Sequence, residues 1–395
     1  MIKRFRLCAL VVVFTFTFIS MMEIHGFAAE TFRVGALMEL SGGGAPWGIP
    51  SLRGLELMAE KINGEGGIRV GDKKYLIELV KADDKSNFDT ALAQANRLIF
   101  DEKVTYINGP IISGCVLSIL PVTEANKVID MNYAVSPKVL GPDKPYSFRL
   151  YPAVRECMQG VFIYLSKSRP DVKTVALIGP NDESGWGNSK LAKEMAKEVG
   201  VEVIFEDFVQ RGTTDFFPVL TKMVAKKPDA LIPHAVPGGE TALILQQSYQ
   251  LGYRKMVITP SHYDPKTLVA KVGTEAAEGF IFMSPDWNGP TATPAMREVF
   301  KRYEEKYKEK FDPIIGPGYP QLHVLKMAIE KAGTFDTTRV MKTMENLEGE
   351  MPYGRFSMGG MKTYGAKRQI VYPIFLSQIK RGVQVGLGSV TPPVP

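Results

Sequence analysis

Short loops rich in small and aromatic residues follow the predicted strands of this sequence, and their composition suits the capture of a small anion. They are Ser41–Gly48, Gly109–Gly114 and Asn132–Pro137 in the first half, and Gly179–Gly187, His234–Gly239 and Pro260–Tyr263 in the second. Ligands of open α/β sheets bind at the carboxyl ends of the strands, and free amide groups at helix starts favour a carboxylate. Any one of these loops is also an ordinary turn, so the prediction rests on all of them together.

Sequence motifs of catalysis are missing. The chain has no GxSxG nucleophile elbow, no GxxxxGKS/T phosphate loop and no HExxH motif. Gly42–Gly44 lacks GxGxxG spacing and is followed by Pro46, and no Cys/His cluster has the spacing of metal ligands. We therefore predict a protein that is not an enzyme and that uses no cofactor or metal. A Ser/His/Asp triad scattered along the chain is the enzymatic alternative, because triads are not local in sequence.

The length and composition predict a folded chain of two domains. Its 395 residues exceed what a single hydrophobic core normally serves. Hydrophobic residues make up 45% and charged residues 23%, which is typical of globular proteins. The net charge of +6 comes from interspersed positive and negative residues. Because no long basic run or RNA-binding signature is present, we expect no nucleic-acid partner.

The first 29 residues have the layout of a secretory signal peptide. Lys3, Arg4 and Arg6 precede the apolar stretch Leu7–Ile19, and small residues follow. We predict cleavage near residue 28 or 29 and a mature protein in the periplasm. An uncleaved anchor is the alternative, although the stretch is shorter than the ~20 residues of a membrane span.

Two cysteines, Cys115 and Cys157, remain after such cleavage. An oxidising compartment permits a disulfide between them. Two free, partly buried thiols is the interpretation that we favour.

Predicted strands and helices alternate through most of the chain, and the series restarts once. The predicted strands are 32–38, 75–81, 104–108 and 128–131, then 174–178, 201–205, 230–233 and 256–259. Predicted helices between them include 90–101, 116–126, 189–199, 216–226 and 241–251. This alternation predicts parallel βαβ units, and the restart predicts two similar α/β lobes. Helices at 293–309, 321–332 and 337–347 follow, then a β-rich tail at 353–380, whose clearest strand is 370–379, and a frayed end at 391–395.

Several short segments, in this order and spacing, resemble the leucine/isoleucine/valine-binding family of periplasmic binding proteins over nearly all of the mature chain. They include Leu40-Ser41-Gly42, Gly66-Gly67-Ile68, Ala82-Asp83-Asp84, Ser136-Pro137, Phe148-Arg149, Gly185-Trp186-Gly187 and Ala277-Glu278-Gly279. The resemblance implies a type I periplasmic binding protein of the α/β class, with two doubly wound parallel-sheet lobes joined by three crossover segments. The crossovers are expected near 148–152, 280–285 and 353–357. Lobe 1 would then comprise 30–150 plus 286–352, and lobe 2 would comprise 151–285 plus 353–390.

The same resemblance implies a function and a set of binding residues. The ligand is expected in a cleft between the lobes of a monomer, which close by a hinge and dock on the membrane permease of an ABC importer. The family's carboxylate-binding serine falls on Ser113, and its threonine falls on Val135. Its cleft aromatics fall on Trp47 and Trp186. The neighbouring Gly114, Tyr133 and Ala134 complete the first-lobe half of the predicted site.

Two family features are missing in the second half of the predicted site. A third cleft aromatic falls near Val236, and the acid that binds an α-ammonium group falls near Ser261 or His262. An ammonium group buried without a partner costs several kcal/mol, whereas about 100 Å² of apolar burial returns only ~2.5 kcal/mol. Amino acids are therefore expected to bind poorly unless another acid enters the cleft. The candidates are Asp182, Glu183, Glu240 and Asp264.

The predicted solute is thus a small hydrophobic or aromatic carboxylate, with an amino acid as the alternative. Trp47 and Trp186 would sandwich its apolar part, and Ser113 would hold its carboxylate. Packing between the lobes is the other interpretation of the two tryptophans. A two-lobed ligand sensor that regulates a partner is the alternative function.

Overall fold

The computed structural model describes residues 30–152, 154–315 and 318–393. The strands are β1 (Glu30–Met38), β2 (Ile68–Val70), β3 (Lys73–Asp83), β4 (Tyr106–Asn108), β5 (Ile129–Asn132), β6 (Ser147–Arg149), β7 (Thr174–Pro180), β8 (Glu202–Val209), β9 (Ala230–Pro233), β10 (Met256–Val257), β11 (Ile281–Met283), β12 (Glu348–Met351), β13 (Gly354–Gly359), β14 (Gln369–Val371), β15 (Ile374–Lys380) and β16 (Val383–Val390). The predicted signal peptide lies outside the described residues.

Helices alternate with these strands in both halves of the chain. They are α1 (Ala45–Gly64), α2 (Phe88–Asn96), α3 (Ser113–Ala125), α4 (Val154–Ser168), α5 (Glu183–Val199), α6 (Phe217–Ala225), α7 (Gly238–Gln250), α8 (Pro265–Val272), α9 (Thr274–Ala277), α10 (Pro294–Tyr307), α11 (Tyr319–Ala332), α12 (Thr337–Met344) and α13 (Met361–Tyr364). Among the helices of the described ranges, none combines the length and apolar character that crossing a bilayer requires.

The first lobe is built on a nine-stranded sheet with the order β12-β13-β14-β6-β5-β4-β1-β3-β2. β1 runs parallel to β3 from the Glu30–Tyr75 pair to the Met38–Asp83 pair, and β4, β5 and β6 continue the parallel series. This register brings the carboxyl ends of β1, β3 and β4 to one edge of the sheet. The predicted parallel βαβ units of the first lobe are therefore confirmed.

The second lobe repeats this plan with fewer strands. Its parallel sheet has the order β10-β9-β7-β8, and a three-stranded antiparallel sheet has the order β11-β15-β16. A single bridge between Ile258 and Ile281 joins the two sheets. Apolar clusters cover both faces of the parallel sheet, one under α4 and α5 and one under α6 to α8, as expected of a doubly wound lobe. β16 was not predicted from the sequence.

The strand pairing moves the third crossover from 353–357 to residues 372–373. β13 and β14 lie in the nine-stranded sheet, and Tyr353 and Phe356 are buried in the core of the first lobe. The predicted strand 370–379 is in fact two strands in two lobes, because Pro373 lacks the N–H group that a continuous ladder requires. The first lobe therefore extends to Val371, and the second takes the tail from Ile374. The chain also leaves the nine-stranded sheet after β6 and leaves the three-stranded sheet after β11.

The two cysteines are free thiols, as the sequence analysis favoured. Cys115 lies in α3 of the first lobe, and Cys157 lies in α4 of the second. Both side chains are buried.

Candidate functional site

Side-chain hydrogen bonds connect the first-lobe loops at the edge of the sheet where the parallel strands have their carboxyl ends. Asp83, the last residue of β3, accepts hydrogen bonds from the amides of Leu40 (2.9 Å) and Ser41 (3.2 Å) and from the Ser41 hydroxyl (2.7 Å). The Ser86 hydroxyl accepts from the Gly44 amide and donates to the Ser41 carbonyl, both at 2.9 Å. The loop before α1 is thus fixed to the loop after β3 by groups more than 40 residues apart in sequence.

Ser113 is the first residue of α3 and is half-buried. Its hydroxyl oxygen accepts a hydrogen bond from the Ser136 amide at 3.2 Å. The first amides of a helix have no intrahelical acceptors, and the helix dipole favours negative charge at this end. A side chain on residue 114 would meet the Phe88 ring at 2.3 Å, so Gly114 lets α2 and α3 pack closely at this point. The α3 start is therefore equipped to receive a carboxylate.

The residues after β5 divide between the core and the surface. Tyr133 is buried, and its hydroxyl donates to Asn108 Oδ1 at 3.0 Å. Ala134 is also buried, and its carbonyl accepts from the guanidinium of Arg149 at 3.3 Å. Val135 is 50% exposed. Of the predicted residues in this loop, only Val135 is therefore presented to solvent.

Trp47 and Trp186 lie at equivalent places in the two lobes. Trp47 is in the first turn of α1, after the first strand of its lobe, and Trp186 is in the first turn of α5, after β7. Their exposures are 49% and 54%, and the Trp186 indole donates to Asn181 Oδ1 at 3.2 Å. Neither ring is buried by packing between the lobes. Exposed aromatic rings at equivalent helix starts are typical of a binding surface.

The predicted binding residues in the remaining second-lobe loops differ in their exposure to solvent. Val236 is buried in the lobe core, and its carbonyl accepts from the Tyr263 hydroxyl at 3.0 Å. Ser261 is half-buried, and its carbonyl accepts from the Met283 amide at 3.1 Å. His262 is exposed, and its Nδ1 lies 3.0 Å from the hydroxyl of Tyr151. Of the three, His262 alone offers an exposed polar side chain.

Tyr151 is a residue that the sequence analysis did not single out. It lies in the first crossover, and its carbonyl accepts from the Gln369 amide group at 2.9 Å. Its hydroxyl therefore connects a crossover to the second lobe through His262. Nearby protein atoms disfavour the charged form of the His262 ring by desolvation and lower its pKa below the usual value. The ring is therefore neutral near pH 7 and supplies no positive charge to the site.

Three of the four acids considered as ammonium partners are engaged elsewhere. Asp182 caps α5 by accepting from the Ser184 and Gly185 amides, and it forms an ion pair with Arg211 at 2.6 Å. Asp264 caps α8 in the same way. Glu240 accepts from the Gly212 amide at 2.8 Å. The side chain of Glu183 lies outside the described part of the chain.

Buried acids beneath the first-lobe loops also escaped the sequence analysis. Glu39 follows β1 directly and accepts hydrogen bonds from the amides of Ile111 (3.0 Å) and Ile112 (2.7 Å). Asp84 follows β3, and both carboxyl groups are fully buried. In the sequence, these acids stand directly after apolar strands. That position alone does not show which groups their carboxylates contact.

The family model of the periplasmic binding proteins matches residues 31–384. The Leu/Ile/Val-binding protein homolog 7 of Brucella suis is 27% identical over 377 residues, which cover 88% of this chain and 92% of that protein.

Solved structures share the fold. The branched-chain amino acid transporter substrate-binding protein of Streptococcus pneumoniae, in complex with isoleucine, is 22% identical with a TM-score of 0.75, covering 92% of this chain and 100% of that one. An ABC-transporter solute-binding protein of Rhodopseudomonas palustris, in complex with 3,4-dihydroxybenzoic acid, is 23% identical with a TM-score of 0.71, covering 92% and 99%. With a type I fold and a family match over nearly all described residues, this chain belongs to the periplasmic binding protein family.

Proposed function

We propose that this protein is exported through its N-terminal signal peptide and captures a small aromatic or hydrophobic carboxylate between its lobes. It then delivers the solute to the membrane permease of an ABC importer. The observation that carries the choice of solute is the pair of exposed tryptophans, Trp47 and Trp186, at equivalent helix starts of the two lobes.

A flat, apolar solute suits this pair of tryptophans. Each aromatic contact adds about 0.5–1.5 kcal/mol beyond the burial of area, and area burial itself contributes about 25 cal/mol per Å². The carboxylate of the solute would lie at the start of α3, where Ser113 is half-buried and its hydroxyl hydrogen is not used by the Ser136 contact. A micromolar complex requires roughly 8 kcal/mol in all, so the two aromatic contacts and the carboxylate contact must act together.

An α-amino acid is disfavoured because its ammonium group needs a carboxylate partner. Asp182, Glu240 and Asp264 already accept hydrogen bonds from backbone amides. His262, at the place where the resemblance put the acid, is neutral. Structural relatives hold isoleucine in one case and 3,4-dihydroxybenzoic acid in another. The fold therefore suits both kinds of ligand, and the side chains decide between them.

Calorimetric titration of the mature chain with benzoate, 3,4-dihydroxybenzoate and isoleucine tests the proposal. We expect an aromatic acid to bind more tightly than isoleucine. Trp47→Ala and Trp186→Ala should each weaken this binding by about tenfold, equivalent to about 1.4 kcal/mol. Phe100→Ala is the matched control, since Phe100 is equally exposed at 47% but lies in the turn after α2. Tight binding of isoleucine without binding of either aromatic acid would refute the proposed solute.

A further inference from the structure

A buried pair of carboxyl groups lies directly beneath the first-lobe loops. Glu39 and Asp84 are both fully buried, and the Cys115 thiol lies beside them, with one ligand-type atom from each group within 4.8 Å of the others. Two carboxyl groups this close do not both ionise readily in a low-dielectric interior. Asp84 Oδ2 is buried and has no hydrogen-bond partner among the described residues, and the side chains that interact with the Asp84 carboxyl group are Cys115 and Glu39.

The start of α1 packs closely against Glu39. A side chain on residue 48 would come within 2.0 Å of the Glu39 carbonyl, and one on residue 44 would come within 2.8 Å of its Cβ. Glycine at both positions therefore lets the first turn of α1 lie directly against this residue. Its neighbours on the other side are the amides of Ile111 and Ile112, which point at the Glu39 carboxylate.

We propose that Glu39 and Asp84 share a proton beneath the anion-binding start of α3, and that release of this proton to solvent weakens the capture of a carboxylate. The inference rests on the proposed function for its ligand. Glu39 acts as a positioning residue, because it touches the residues that precede Ser113 and not the solute. With the proton in place, the pair orients these amides and carries one negative charge fewer.

The titratable groups that face the pair come from each neighbouring element. Asp83 lies next to Asp84 on β3, Cys115 faces both acids from α3, and Tyr133 faces Glu39 from the loop after β5. Burial raises the pKa of Glu39 to about 7; the Ile112 amide opposes this rise, and the charge of Asp84 adds to it. Burial also raises the pKa of Asp84. The pair therefore loses its proton near neutral pH.

A shared proton explains the cluster better than a metal ion does. Burial raises the pKa of Cys115 to about 12, so its thiol keeps its proton, whereas a metal ligand must be a thiolate. The two backbone N–H groups directed at Glu39 also carry partial positive charge, which opposes a cation at this place.

The test compares benzoate binding to the wild-type chain, Glu39→Gln and Glu124→Gln from about pH 6 to about pH 8.5, a range that spans the proton release. Benzoate stays anionic throughout. Glu124→Gln is the matched control, because Glu124 is also shielded from water and its pKa is likewise raised to about 7 by burial, but it bonds to the Tyr146 amide at the far end of α3. We expect the wild type and Glu124→Gln to bind benzoate about three- to tenfold more weakly at the alkaline end. Glu39→Gln should bind with constant affinity.

A ligand-free measurement keeps this test separate from that of the proposed function. Infrared difference spectra between the two pH values should contain the carbonyl band of a protonated carboxylic acid in the wild type, and that band should be weaker in Glu39→Gln. An unchanged band in the variant, or wild-type affinity that is constant with pH, would overturn the shared proton. Failure of benzoate to bind at any pH, with the band present and sensitive to Glu39, would count against the solute assignment alone.

Discussion

The binding loops of the two lobes are held in different ways. In the first lobe, Asp83 and Ser86 fix the loop before α1 across more than 40 residues, and Ser113 is tied to Ser136 in the next loop. In the second lobe, Asp182 and Asp264 cap the helices that follow them, and the contacts of Asp182 with Arg211 and of Glu240 with Gly212 span fewer than 30 residues. A site that is fixed before the ligand arrives loses less entropy on binding. Under the proposed function, we therefore expect the first lobe to present an assembled anion site and the second lobe to close on it.

Both lobes shield titratable groups from water. In the first lobe, desolvation raises the pKa of the buried Glu39 and Asp130 and of the half-buried Glu124. The second buries His234, whose pKa is lowered to about 4 by desolvation, partly offset by Glu206. The contribution of these carboxyl groups to stability is lost as pH rises through their folded pKa, and that of His234 is lost as pH falls. The three carboxyl groups and His234 are thus expected to weaken the folded protein at opposite ends of the pH range.

The largest effect should come from the buried arginine that organises the first-lobe loops. Arg149 is fully buried and donates to the carbonyls of Ala134 (3.3 Å) and Ser136 (3.0 Å) and to the side chain of Gln369. Arg149→Met should lower the free energy of unfolding by about 3–5 kcal/mol, because it removes one partner of a buried polar network. Urea denaturation measures this change.

The matched control for Arg149→Met is Arg355→Met. Arg355 is exposed and pairs with Glu348 at 3.0 Å on the surface of the same sheet. Its loss should change the free energy of unfolding by less than about 1 kcal/mol. If both variants lost similar amounts of unfolding free energy, the buried hydrogen bonds of Arg149 would not be what holds the first-lobe loops in place.

The loss of folding stability at acid pH tests the role of His234 in the second lobe. His234 is fully buried, and neither ring nitrogen has a hydrogen-bond partner among the described residues. Between its ordinary pKa of 6.5 and its folded value of about 4, the unfolded chain binds the proton more readily than the folded chain. Stability attributable to His234 therefore falls by up to roughly 3 kcal/mol as pH falls across this interval.

His234→Leu isolates that contribution. The difference in melting temperature between wild type and variant should change between about pH 7 and about pH 4.5, with the variant favoured at the acid end. The variant should be at least as stable as the wild type near neutral pH, because it removes unpaired polar atoms from the core. Melting temperatures that fall in parallel would show that His234 does not set the acid sensitivity of the second lobe.

The sequence predicted the two parallel lobes because alternating strand and helix patterns are local. It predicted Trp47, Trp186 and Ser113 in loops after strands, whereas the structure places them in the first turns of α1, α5 and α3, which begin earlier than the sequence indicated. The third crossover was misplaced because the apolar strands on either side of Pro373 have similar patterns, and only long-range pairing assigns them to different sheets. Glu39 and Tyr151 were missed for a similar reason. Their roles depend on partners 72 and 111 residues away, which no local pattern specifies.

The smallest effect is expected when one loop carboxylate from each lobe is replaced and the two variants are compared. Asp83→Ala should cost about 2 kcal/mol of unfolding free energy, because three donors of Leu40 and Ser41 lose a charged acceptor. It should also weaken aromatic-acid binding, since the loop before α1 carries Trp47. Asp264→Ala should cost about 1 kcal/mol, the usual price of a lost helix cap, and leave affinity unchanged because its acceptor contacts stay within α8. Chemical denaturation and calorimetric titration of both variants measure the difference. Equal losses of affinity in the two variants would mean that the second-lobe loops are as much a part of the assembled site as those of the first.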